Sequence, residues 1–148
     1  MYSMNHQSNI SLVRKLYEEI YTKGNTALCD QLFANDVRLI DPAMPNFRGG
    51  IEAMKERENT YRTAFPNKVA RLDDIFAAED KVVVRWTIQG THSGHLQDIP
   101  ATGKNIKVTG ISIFHIVNGK IADIAQSWDR LSLLEQIGAI AMTSALHN

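Results

Sequence analysis

The spacing of apolar residues changes once along the chain. Over "SNISLVRKLYEEIYTKGN", Ile10, Val13, Leu16, Tyr17, Ile20 and Tyr21 recur at intervals of three and four, which is the spacing of one helical face. Ser8 or Asn9 is the expected N-cap, residues 1–8 the expected flexible lead-in, and Gly24 the stop. Asn25 is placed to cap a second, short helix carrying Ala27, Leu28, Leu32 and Phe33, which would bury Cys29 beside them as a small apolar group. "DVRLID" then alternates as a short strand, and the prolines and glycines of "PAMPNFRGG" break it. A third helix is predicted from about Ile51 to Ala64, ending before Phe65-Pro66.

Beyond Pro66 the period falls from helical to two. "KVARLDDIFAAED", "KVVVRWTIQGTHSG", "NIKVTGISIFHIVNG" and "KIADIAQSWD" read as strands in series, joined by short "AED" and "VNG" turns and by the longer loop "GHLQDIPATG". Helices first and strands afterwards predict an α+β fold, a curved antiparallel sheet with one face covered by the helices. Val82, Val84, Trp86 and Ile88 share one face of their strand, and Val83, Arg85 and Thr87 share the other. Apolar residues on both faces predict that both are covered, the second by another subunit, which gives a homodimer.

Length and charge narrow the reading. A chain of 148 residues suits one domain, expected over residues 9–148. Sixteen basic and sixteen acidic residues leave no net charge, so neither nucleic acid nor an anionic membrane is an expected partner. A single cysteine, a polar N-terminus and no long apolar run suggest a cytoplasmic protein.

The candidate chemistry is carboxylate, histidine and tyrosine. Asp129 stands at the N-cap position of a helix from Arg130 to Ile137, where an aspartate accepts a backbone hydrogen bond. It also ends a strand on the same face as Ala125 and Ser127, so it is an acid/base candidate if that face lines a pocket. Asp41, between a strand and a Pro-bearing loop, is either a turn-former or a general base at the rim of an apolar cavity. Tyr17 is a core aromatic or an O–H donor to a carbonyl oxygen gaining charge. His92, His95 and Asp98 have metal-like spacing, but three residues in a turn-rich loop define no geometry and no metal is expected. His92 is instead expected to orient a ligand, His95 and Asp98 to be solvated, and His115 to be hydrogen-bonded in the core. No nucleophile elbow, phosphate-binding loop or dinucleotide fingerprint occurs. What remains suits moving a proton on carbon next to a carbonyl without a cofactor.

"LIDPAMPNFRGGIEAM", "AFPN", "VVVRWTIQGTHSGHLQDIPATGKNIKVTGISIFHIVNGKIADI" and "SWDRLSLLEQIG" together resemble the SnoaL-like polyketide cyclases of the nuclear transport factor 2-like superfamily. The resemblance runs from the first helix to Gly138. It implies a cone-shaped α+β fold around an apolar cavity, often dimeric, closing a ring by intramolecular aldol condensation without metal or cofactor. Asp129 matches the family's acid/base aspartate, and His92 the histidine of its "GTH" motif. Tyr17 and Asp41-Pro42 also resemble the spacing of ketosteroid isomerases, but "TGISIFHI" lacks that family's second carboxylate. The expectation is an acid/base enzyme on a small apolar carbonyl compound. The rivals are a proton-shuttling isomerase, a non-catalytic small-molecule binder, and a dimerisation scaffold.

Overall fold

The computed structural model describes residues 3–141. Helix α1 (Ser3–Lys15) continues as a wider π-helical segment (Leu16–Thr22). It already runs through Ser8 and Asn9, so neither caps it, and its stop is Gly24, whose φ of 77° suits glycine. A 3-10 turn (Thr26–Leu28) leads into the one-turn α2 (Cys29–Leu32), where Cys29 is buried. Phe33, expected in that helix, instead opens strand β1 (Phe33–Ile40). Helix α3 (Ile51–Ala64) has the expected bounds. It starts after Gly49, where an added Cβ would lie 2.6 Å from the Val37 carbonyl oxygen, so only glycine lets the turn close on β1.

Strands β2 (Val69–Ala78), β3 (Lys81–Thr91), β4 (Asn105–Val117) and β5 (Lys120–Trp128) follow, then the short α4 (Arg130–Gln136). The β2–β3 and β4–β5 turns are tight, with positive φ at Glu79, Asn118 and Gly119. The sheet order is β1-β5-β4-β3-β2: consecutive strands β2 to β5 pair antiparallel, and β1 joins the edge of β5 in parallel.

The helices cover the inner face, where Val82, Val84, Trp86, Phe114, Ile121 and Ile124 are buried. The outer face is open in the single chain. A register row of Ile40, Ala125, Ile113, Val83 and Phe76 crosses all five strands there. Phe76 is 56% exposed and Ile113 39%. Among the described residues no helix is long and apolar enough to cross a membrane.

Candidate functional site

A cavity of about 70 Å³ lies between the helices and the inner face of the sheet. Its walls are mostly apolar: Trp86 and Ile88 from β3, Ile106 and Val108 from β4, Leu133 from α4. The widened turns of the first helix bring Tyr17 and Tyr21 onto the same wall, their rings edge to face at 4.9 Å. Burial pushes the Tyr17 hydroxyl well above the ordinary tyrosine range, with Ser112 pulling weakly the other way, so at neutral pH it is a hydrogen-bond donor.

Two polar groups adjoin this cavity at opposite edges of the sheet. The first centres on Asp41, 4% exposed, which continues the inward alternation of Val37 and Leu39. Its Oδ2 accepts from the Gln126 side-chain amide at 2.9 Å and the Trp128 indole N–H at 3.0 Å, and its Oδ1 from the Ala43 amide at 2.8 Å. Gln126 Oε1 in turn accepts from Ser112 Oγ at 3.3 Å, which accepts from the Trp86 indole at 2.9 Å. Gln126 and Trp128 line the cavity and Asp41 stands directly behind them. No cation pairs with Asp41 among the described residues.

The second group is ionic. Lys68 and Glu58, 4% and 5% exposed, form an ion pair of 2.8 Å, and Lys68 also donates to the Tyr21 carbonyl. Glu58 accepts from Arg62 at 3.0 Å through its other oxygen. Burial pulls the Lys68 ammonium down to about 8, against the opposing pull of Glu58. Arg57 lines the same region with its guanidinium 5.4 Å above the Tyr61 ring.

Of the candidates read from the sequence, Tyr17 lines the cavity and Asp41 adjoins it. Asp129 does not: it is exposed, and its Oδ1 accepts from the Ser132 amide at 2.9 Å as the cap of α4. The inward residues of β5 are Ile124, Gln126 and Trp128, so Ala125 and Ser127, whose face was to carry Asp129 into a pocket, point the other way. His92 is fully buried but also outside the cavity lining. Its Nδ1 lies 2.9 Å from Thr102 Oγ1 and accepts from the Thr102 amide at 3.3 Å, which puts the proton on Nε2, where it has no partner among the described residues. Burial lowers its pKa, so the ring is neutral. Its place is to pin the loop of residues 92–104, whose Ser93 and Gly94 amides satisfy the Ala64 carbonyl at the end of α3. His95 and Asp98 are exposed on that loop. His115 is only half-buried and bonds Asp123 at 3.0 Å and Asp80 at 2.9 Å.

Glu58, Lys68, Arg57 and Gln126 escaped the sequence reading. The signal for Glu58 was present: Ile51, Met54, Glu58 and Tyr61 lie at helical spacing, which sets a charge in an apolar stripe.

The SnoaL-like polyketide cyclase family model matches residues 11–137. The chain belongs to that family. Among its relatives are two aklanonic acid methyl ester cyclases, each 30% identical. DauD of Streptomyces sp. (strain C5) aligns with 87% of this chain over 81% of its own, and DnrD of Streptomyces peucetius with 88% over 91%. The solved structure of TsrD from Streptomyces laurentii is 28% identical and superposes with a TM-score of 0.81, covering 90% of this chain and 97% of that one. The five-stranded sheet and N-terminal helices of this SnoaL-like chain are thus the fold of its family.

Proposed function

We propose that the chain is a cofactor-independent cyclase that closes a ring by intramolecular aldol condensation of a small carbonyl compound, with Asp41 as proton acceptor. The observation that carries this reading is a buried carboxylate held only by neutral donors, directly behind Gln126 and Trp128 in the wall of an apolar cavity. Its three donors use three of roughly four lone-pair directions, which leaves one on Oδ1 for a substrate proton. Asp41 takes a proton from carbon beside a carbonyl, the carbanion attacks a second carbonyl of the same molecule, and the resulting alkoxide takes a proton back. Tyr17 donates to the carbonyl oxygen as charge develops on it. The kinship with two aklanonic acid methyl ester cyclases supports the reaction class.

The test is proton exchange in D₂O, followed by NMR, on aklanonic acid methyl ester, simpler β-keto esters and keto acids such as levulinate. Wild type should exchange the activated hydrogens faster than buffer alone and Asp41→Asn only at the buffer rate, whereas Asp129→Asn should retain the enhancement. Exchange above the buffer rate that survives Asp41→Asn sinks the assignment. A ligand bound without exchange supports the non-catalytic binder.

The outer apolar row supports a homodimer, with a second copy on the sheet. Arg85 beside Asp73 and Asp74 supplies both signs of charge next to Ile111, so two copies related by a twofold axis complement each other.

A further inference from the structure

The ionic end of the cavity holds more positive charge than it balances. Arg57, Arg62 and Lys68 stand around one carboxylate, Glu58, which already pairs with both Arg62 and Lys68. Arg57 has no carboxylate within ion-pair distance among the described residues, and its Nε–H is buried without a hydrogen-bond partner. Lys68 spends two of its three N–H groups on Glu58 and the Tyr21 carbonyl. Buried donors left unmet are costly, and a cation in an apolar setting more so. Topology separates this end from Asp41: Lys68 precedes edge strand β2, and Asp41 follows the opposite edge strand β1.

We infer that the ligand of this cavity carries a carboxylate, held by Arg57 and Lys68, on a small apolar body that lies against Trp86 and Leu133. An enolate formed only during reaction would leave the resting site with its excess charge, whereas a permanent anion offsets it whenever ligand is bound. A planar carboxylate also suits the fork of a guanidinium. The inference rests on the cavity being the functional site and extends the proposed function by naming a substrate class, a keto acid rather than a neutral ketone. The carboxylate sits at the Arg57 and Lys68 end and the acidic carbon towards Asp41.

The experiment compares acids with their amides: isobutyrate against isobutyramide, and benzoate against benzamide. Both tryptophans of the chain line the cavity, so their two indole N–H resonances in ¹H–¹⁵N NMR titrations report occupancy directly. Each acid should bind at least about tenfold tighter than its amide. Arg57→Gln and Lys68→Met should each remove most of that preference. Arg57 is half-buried and holds no ion pair, so its variant keeps the test open should Lys68→Met fail to fold. Amides binding as tightly as acids, a preference that survives both substitutions, or no indole shift with any of the four compounds would each overturn the inference. Loss of proton exchange in Asp41→Asn with the acid preference intact separates the two ends of the site. Failure of exchange in wild type speaks against the cyclase reading alone.

Discussion

A Cβ added to Gly110 would lie 2.3 Å from Cζ2 of Trp86, so the indole rests where any other residue's side chain would begin. The neighbouring strand is also too close, with Trp128 Cβ 2.7 Å from the same point. Gly110→Ala therefore has to push Trp86 off Ser112 and into the cavity. A loss of about 1–3 kcal/mol in urea unfolding is expected, with a shifted Trp86 indole resonance. Unchanged stability and an unmoved resonance would contradict this packing.

Asp129 gives a contrast between two substitutions. Asp129→Ala removes the acceptor for the Ser132 amide and should cost about 1 kcal/mol, while Asp129→Asn keeps a capping oxygen and should cost little. Denaturant melts of the pair decide it. Equal losses would mean that charge, not the cap, is what the position supplies.

Lys68 makes stability depend on pH with an unusual sign. Its pKa is lowered from 10.5 to about 8 on folding, so between those values the unfolded chain binds a proton that the folded chain has released. Its contribution to stability therefore rises with pH across that window, by on the order of 3 kcal/mol. Tyr17 and Tyr21, whose pKa values burial raises, act in the opposite sense only above the ordinary tyrosine value of 10.0. The unfolding free energy of wild type minus that of Lys68→Met should climb between about pH 8 and about pH 10. A flat difference would show that the ammonium is not desolvated.

His115 has the opposite sign. Hydrogen bonds to Asp123 first and Asp80 second raise its pKa above 6.5. The stabilisation is complete below the unfolded value and is lost as pH rises through the folded one. His115→Asn should lower the melting temperature on the acidic side of 6.5 and converge with wild type in alkaline buffer. A constant offset at all pH values would assign the loss to shape rather than charge.

The outer row predicts association. Ile113 lies at its centre, paired with Val83 on one side and Ala125 on the other. Sedimentation should give a dimer for wild type and a monomer of unchanged fold for Ile113→Lys. A wild-type monomer at every concentration would remove the homodimer proposal.

The fold was legible in the sequence wherever a local rule acts. Helix α3 is bounded by a Gly-Gly turn and Phe65-Pro66, and the hairpins by turns needing positive φ at Glu79 and Asn118. The site was legible only in part, because tertiary pairing settles it. Asp41 and Tyr17 were found through alternation and helical spacing. Asp129 was misdirected because the inward face of β5 depends on its register with β4, which is shifted between His115 and Ile116. Glu58 and Lys68 escaped the reading because only tertiary packing buries the two together, ten positions apart. Parallel attachment of β1 leaves no mark in the period of its apolar residues.

That attachment sets when the site can exist during folding. Asp41 and Gln126 are separated by 85 positions, and only the docking of β1 on β5 unites them. The β2–β4 meander can form from neighbouring hairpins, but the carboxylate and its amide partner must wait for the slow closure of a long loop. A nascent chain therefore has a sheet before Asp41 meets Gln126, and an edge strand that peels away parts the two while the meander stays paired. The hydrogen bond between Asp41 and Gln126 is thus a clasp between two distant stretches of the chain.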